Sequence, residues 1–267
     1  MTGRELSPDY IRSLRERAIR DRDGLFYVEG VRFLATAIDA GVPVEAVVIA
    51  PKRLVSRLGY TLAARLRRAG VPELRLHDPD FASLSLLDEP QGIGAVVRQP
   101  WSALTDDDAE RRDGLWVGLE ELHKPGNLGS LMRTCDAVGA RGLVFMSRKI
   151  DPFDATVVRA TMGSIFAQRL VRATPASIRR WNRFGAHVVV GAGLDGSHDY
   201  RAVSYRRPVL LMLGGERQGL TAAQAELCDA VVRIPMAGRC DSLNLAAAGA
   251  VMLYEIYGQR HPVRRRG

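Results

Sequence analysis

From Leu115 onward the chain alternates short apolar runs with helical stretches, and this alternation limits the folds open to it. LWVGLE, ARGLVFM, AHVVVGAG, PVLLMLGG and AVVRIP read as strands. Between them, NLGSLMRTCDAVG (ended by Gly139), DATVVRATMGSIF, SIRRWNRFG and LTAAQAELCDA (capped by Thr221) read as helices. DSLNLAAAGAVMLYEIYG closes the series as a helix capped by Asp241 or Ser242. Apolar strands separated by helices predict a mostly parallel sheet.

A smaller alternation comes first. FYVEG is followed by RFLATAIDAG, a helix ended by Gly41. AVVIA is a buried strand, Leu58, Leu62 and Leu66 mark a helix, and GVPELRLHD is a turn and strand. QGIGAVVRQP is a strand closed by Pro100. These predict a small α/β unit over residues 1–100. PWSALTDDDAERRDG is charged and aperiodic, which makes 101–113 the linker candidate and 114–267 the second domain. Before the first unit, Tyr10, Ile11, Leu14, Ala18 and Ile19 recur at helical spacing among arginines. That stretch reads equally as a solvated helix or as an RNA-facing arm.

The 267 residues are 46% apolar, enough for a sizeable core, and carry a net charge of +8. The excess favours a polyanionic partner, nucleic acid or an anionic membrane surface, or is simply a basic surface. Cys135, Cys228 and Cys240 form no CxxC pair and are odd in number, which argues against disulfides and a zinc cage. His77, His123, His187, His198 and His261 are scattered, so no metal is expected. No signal-peptide core or membrane-length apolar run is present, and a cytoplasmic protein is expected. The tail RHPVRRRG reads as disordered, with nonspecific RNA contact open to it.

Four glycine-bearing segments follow strands. Gly191-Ala192-Gly193-Leu194-Asp195-Gly196 matches the GxGxxG dinucleotide fingerprint. That fingerprint needs a helix immediately after it, and SHDYRAVSYRRP reads as loop. A pocket-lining loop fits better than a nicotinamide site, which leaves Ala192 and Gly193 as candidate ligand contacts. PGNLGSLMRT runs from a loop into a helix, where Asn127 can cap, Gly126 and Gly129 allow close approach, and Arg133 lies one turn beyond Gly129. Amides at such a helix start favour a phosphate. GGERQGL follows PVLLML, so Gly214 and Gly215 sit at a strand's carboxyl end, where open α/β sheets bind ligands. IPMAGRCDSLN precedes the small-residue run Ala246-Ala247-Ala248-Gly249-Ala250. Singly, each segment also reads as an ordinary cap or surface loop.

Together, in this order, they resemble the SpoU/TrmH family of RNA ribose 2′-O-methyltransferases in the SPOUT superfamily. Pro125, Gly126, Asn127, Gly129, Arg133 and Thr134 match its first motif. Leu211, Gly214, Glu216, Gly219 and Leu220 match the second, and Ile234, Pro235, Met236, Gly238, Ser242, Leu243 and Asn244 the third. YVEG and QGIGAVVRQP extend the likeness weakly to a small substrate-binding domain. His123-Lys124 and Ala246 depart from residues common among relatives.

The resemblance implies an α/β fold: a C-terminal SPOUT domain with a parallel sheet and deep trefoil knot, plus a small N-terminal α/β substrate-binding domain. It also implies a homodimer and S-adenosylmethionine as cofactor. Leu213, Gly214, Gly215, Ile234, Met236 and Leu243 would hold its adenosine. Asn127, Glu216, Ser242 and Asn244 would position the ribose, Arg133 and the cofactor's methionine part. Arg133 would bind the phosphate beside the reacting hydroxyl, because an arginine holds its proton too tightly to be a simple base. By analogy the separate N-terminal domain points to ribosomal RNA ahead of transfer RNA. A silent RNA-binding module and a base methyltransferase of the same fold are the competing readings.

Overall fold

The structure is a computed structural model that describes residues 6–110, 113–183, 187–215 and 218–262. It divides into two compact units, Met1–Pro100 with Asp151–Ala167, and Trp101–Ile150 with Gln168–Gly267.

The first unit opens with α1 (Pro8–Ser13), where the Ser7 hydroxyl accepts the Tyr10 amide at 3.2 Å, and α2 (Arg17–Asp23). Ile11 and Leu14 lie in the core, so one face of the basic stretch packs against the unit. Arg12, Arg17 and Arg22 pair with Asp9, Asp21 and Asp23. Buried Arg20 donates to the carbonyls of Leu14 (2.7 Å) and Arg15 (2.6 Å) and pairs with Asp151. Next come β1 (Leu25–Glu29), α3 (Val31–Asp39), β2 (Val44–Ile49), α4 (Arg57–Arg68), β3 (Glu73–Arg75), α5 (Asp78–Leu84) and β4 (Ile93–Arg98). The sheet order is β1-β4-β2-β3, with β4 antiparallel to both neighbours and β3 parallel to β2.

The segment read as a linker is structured. Trp101–Ser102 forms β5, an edge strand parallel to residues 170–171, and Asp106–Glu110 forms α6. Asp108 is buried, accepts hydrogen bonds from Thr105 at 2.7 and 2.9 Å and pairs with Arg169. Charge without apolar period looked like solvent exposure because these partners are remote in sequence. After β6 (Leu115–Leu119), α7 (Pro125–Ala137) and β7 (Gly142–Phe145), the chain re-enters the first unit. There α8 (Ala155–Thr161) and a 3-10 turn, Ser164–Phe166, set Phe153 and Phe166 against Phe26 at 4.8 and 6.1 Å between centroids. The sequence reading assigned this excursion to the second domain by chain order alone.

The second unit continues with β8 (Arg169–Arg172), α9 (Pro175–Trp181), β9 (Val188–Ala192) and β10 (His198–Asp199). The stretch read wholly as loop thus contributes a strand and a 3-10 turn, Tyr200–Ala202. β11 (Val209–Leu213), α10 (Ala222–Ala225), β12 (Ala230–Arg233) and α11 (Leu245–Arg260) complete it. The sheet runs β10-β12-β9-β11-β6-β7-β8-β5 and every pairing is parallel. β6, β7 and β11 are buried at every residue, as central strands covered on both faces must be. Trp116, Trp181, Leu210 and Met212 anchor the core on one face, with the two indoles edge to face at 6.1 Å. α11 packs on α7, and a Cβ at Gly249 would come within 2.6 Å of the Leu131 side chain.

Candidate active site

Parallel pairing explains why motifs scattered over the sequence can meet. β12, β9, β11 and β6 are consecutive in the sheet, so their carboxyl ends share one edge. At about 4.8 Å per strand, the four loops leaving them start within roughly 14 Å. Those loops are IPMAGRCDSLN, GAGLDG, GGERQGL and the lead into PGN. The order also reverses direction at β6, whose neighbours are β7 and β11, a switch point of the kind where such sheets hold ligands.

The loop after β11 folds back on itself. Gly215 and Gly219 exchange backbone hydrogen bonds of 2.7 and 3.1 Å, and Gly219 has φ +67°. Gly214 has no room for a Cβ, which would collide with the Gly219–Leu220 backbone. The glycine is needed for this close approach rather than for an unusual φ of its own. Gln224 ties the loop's two ends: its Nε2 donates to the Leu213 carbonyl at 3.2 Å, while its Oε1 accepts the Thr221 amide at 3.1 Å. The Thr221 hydroxyl also reaches Glu120 at the end of β6. Gln224 escaped the sequence reading, although T-x-x-Q ahead of a helix is a capping-box pattern. Glu216 lies outside the described residues.

Between these loops is a cavity of about 320 Å³. Leu213, Gly214 and Gly215 line it from the β11 loop, and Ala192 and Gly193 from the β9 loop. Ile234, Met236, Ser242 and Leu243 line it from the segment after β12. Leu194, Gly219, Asp241, Leu245 and Ala248, none of them expected as a ligand contact, complete the wall. Leu194, Met236 and Leu243 are 60%, 38% and 38% exposed, an apolar rim that a ligand would cover. The GAGLDG segment is followed by β10 rather than a helix, and its Gly193 amide donates to the Val232 carbonyl at 3.0 Å. It therefore lacks the amide cradle of a dinucleotide site.

Asn127 and Asn244 differ from expectation. α7 begins at Pro125, with Lys124 at the cap position and no side-chain cap, so Asn127 stands inside the first turn. Its Oδ1 instead accepts a 2.9 Å hydrogen bond from Asn244 Nδ2. Asn244, not Asp241 or Ser242, caps α11, its Oδ1 accepting the amides of Ala246 (2.9 Å) and Ala247 (3.4 Å). Asn244 is absent from the cavity wall and serves as the joint between the two motif-bearing helices. Arg133 is exposed on α7, on a stripe with Gly126 and Ser130, and Gly126 faces open space. His123 meets Glu121 at 2.9 Å, which turns both toward each other. Among the described residues no group of three or more His, Cys, Asp or Glu could hold a metal, and no helix is long and apolar enough to cross a membrane.

Comparison with known proteins agrees with this geometry. Residues 114–254 match the SpoU rRNA Methylase family and residues 9–95 the MRM3-like substrate binding domain. The 23S rRNA (uridine(2479)-2′-O)-methyltransferase of Streptomyces viridochromogenes is 35% identical over 92% of this chain and 87% of its own. An AdoMet-bound rRNA methyltransferase from Sinorhizobium meliloti superposes with a TM-score of 0.84 at 35% identity, covering 93% of each chain. The SpoU methyltransferase AviRb from Streptomyces viridochromogenes, in complex with AdoMet, gives 0.83 at 33% identity over 96% of this chain and 98% of its own. With its motif loops gathered at one sheet edge and a family match over more than half its length, the chain belongs to the SpoU rRNA methylase family.

Proposed function

We propose that the chain transfers a methyl group from S-adenosylmethionine to a ribose 2′-hydroxyl of ribosomal RNA. The observation that carries this is the cavity at the ends of β9, β11 and β12, joined through Asn244 and Asn127 to the helix that presents Arg133. Its volume lies in the range of small-ligand pockets, about 300–1,000 Å³. The residues fit the cofactor: Leu213, Ile234 and Leu245 offer an apolar floor for a flat base, and Ser242 and Asp241 offer polar groups at one end. When bound, the cofactor supplies an electrophilic methyl group on a positively charged sulfur.

The chain's own part is alignment. A ribose hydroxyl is a weak nucleophile at neutral pH, so it must be held in line with the methyl group while its proton leaves. Arg133 holds the neighbouring phosphate and turns the hydroxyl toward the cavity. Asn127 and Asn244 fix α7 against α11, and so fix Arg133 relative to Ser242 and the cavity wall. The proton passes to water or to the phosphate. Glu216, which matches the second motif, belongs to the same set.

We also infer a homodimer, a cytoplasmic location and a knotted C-terminal domain. In support of the dimer, α11 exposes Tyr254 (55%) and Tyr257 (38%) with their rings edge to face. The location follows from the substrate. In support of the knot, β12 lies between β9 and β10, which residues 193–197 connect, and Gly196 packs on the β12 backbone.

Labelled methyl from S-adenosylmethionine, offered with unmodified large-subunit, small-subunit and transfer RNA, tests the function. Incorporation into one ribosomal pool is expected. Incorporation into transfer RNA alone would replace the substrate, and cofactor binding without any transfer would favour a silent RNA-binding module.

A further inference from the structure

A second cavity, of about 350 Å³, lies within the first unit. Phe33, Phe153 and Met162 give it apolar walls, and Tyr27 and Glu29 enter it from β1. These two residues share a sheet face with Gly94, the register partner of Glu29. Because Gly94 has no side chain, the Tyr27 ring lies over it, and a Cβ there would overlap the phenol oxygen. The Tyr27 hydroxyl and Glu29 Oε1 are buried without a hydrogen-bond partner. Buried polar atoms are nearly always satisfied, so two orphans on residues that line one cavity mark the place of missing partners.

The charge around them is also unbalanced. Arg15 donates to the carbonyls of Ser83 (3.0 Å) and Ser85 (3.3 Å), and Arg159 to that of Leu86 (2.8 Å). These neutral acceptors hold both guanidiniums at the cavity without cancelling their charge. Arg32 is a third cation on the lining. Burial pushes the Glu29 carboxyl up, against hydrogen bonds from Ser85 and Leu86 and the fields of Arg159 and Arg15. Met162 closes α8 at φ 52°, and among the described residues it is the one non-glycine with positive φ. Strain of this kind gathers at ligand clamps.

We infer that the first unit holds a pocket for one unstacked guanine nucleotide of the RNA, with Glu29 and Tyr27 reading the base edge and Arg15, Arg32 and Arg159 receiving its phosphate. Guanine fits because its Watson–Crick edge presents adjacent N–H donors, and the orphaned carboxylate oxygen is an acceptor. Flat apolar walls suit an extruded base, and single-stranded RNA is commonly read in this way. The inference rests on the proposed function only for the origin of the nucleotide, which would place an RNA-reading site apart from the methyl-transfer loops.

The test is a titration of the full chain labelled at its methionine methyls, with the Met162 signal assigned through Met162→Leu. GMP is expected to shift that signal saturably, binding at least about tenfold more tightly than AMP, CMP or UMP. Glu29→Gln should lose about tenfold for GMP, since a charge-assisted hydrogen bond becomes a neutral one. Arg159→Ala, at an exposed position, should weaken GMP while leaving guanosine unchanged. An unmoved Met162 signal, equal response to all four nucleotides, or wild-type GMP binding by Glu29→Gln would overturn the inference. The titration needs no methyl transfer. A chain that binds GMP but methylates no RNA would sink the functional reading alone, and one that methylates with Met162 unmoved would sink this one alone.

Discussion

Asn244 serves two purposes at one position. Its oxygen caps α11 and its amide nitrogen reaches Asn127 on α7. Asn244→Ala should therefore cost about 1–2 kcal/mol of stability, a cap plus one hydrogen bond. If Arg133 acts as proposed, the substitution should also slow methyl transfer, because the joint fixes α7 against α11. Denaturant unfolding and the methyl-transfer rate check this. Asn244→Asp, which can still cap but has lost the amide donor to Asn127, should recover most of the stability and little of the rate. His187 is a residue of another kind. Its ring nitrogens are buried without partners, 4.5 Å from the Trp181 ring. Burial, and then the charge of Arg260, lowers its pKa from 6.5 to about 4. Between those values the unfolded chain takes up a proton that the folded one refuses, so stability falls as pH drops from 6.5 toward 4. Thermal unfolding across that window should show the slope, and His187→Phe should flatten it.

Elements translate such residues into placement. In α11, Gly249 meets Leu131 at 2.6 Å and Leu213 at 3.1 Å from where a Cβ would stand, whereas Gly258 has nothing within 4 Å. Gly249→Val should cost about 1–3 kcal/mol by overpacking. Gly258→Ala should add about 0.5–1 kcal/mol, because glycine disfavours helix and the site is open. Urea unfolding at one protein concentration compares the two. The elements were legible in the sequence where local chemistry decides them. LWVGL and VLLML announced strands, and Gly139 and Thr221 marked helix boundaries. What local chemistry cannot carry stayed hidden. Asn127 looked like a cap until its partner 117 residues away appeared. Asp108 looked solvated because Arg169 is remote. The 151–167 excursion is invisible to any reading in chain order.

For the whole molecule the ruling fact is that the second sheet is parallel throughout, which brings the loops after β12, β9, β11 and β6 to one edge. The segments that line the cavity were legible as motifs, and their assembly follows from strand order, which the sequence does not state. A second copy of the chain is the other whole-molecule matter. Tyr254→Glu places a charge on the exposed face of α11 and should shift the protein toward monomer in sedimentation velocity. If that face is free, the sedimentation coefficient will match wild type. The central claim is chemical: a methyl group goes to a ribose oxygen. Alkaline hydrolysis of ribosomal RNA labelled by the enzyme tests it most directly, since a 2′-O-methyl group blocks cleavage at its own nucleotide. Label in an alkali-resistant dinucleotide is the predicted result, and label in ordinary mononucleotides would contradict the account by placing the methyl group on a base.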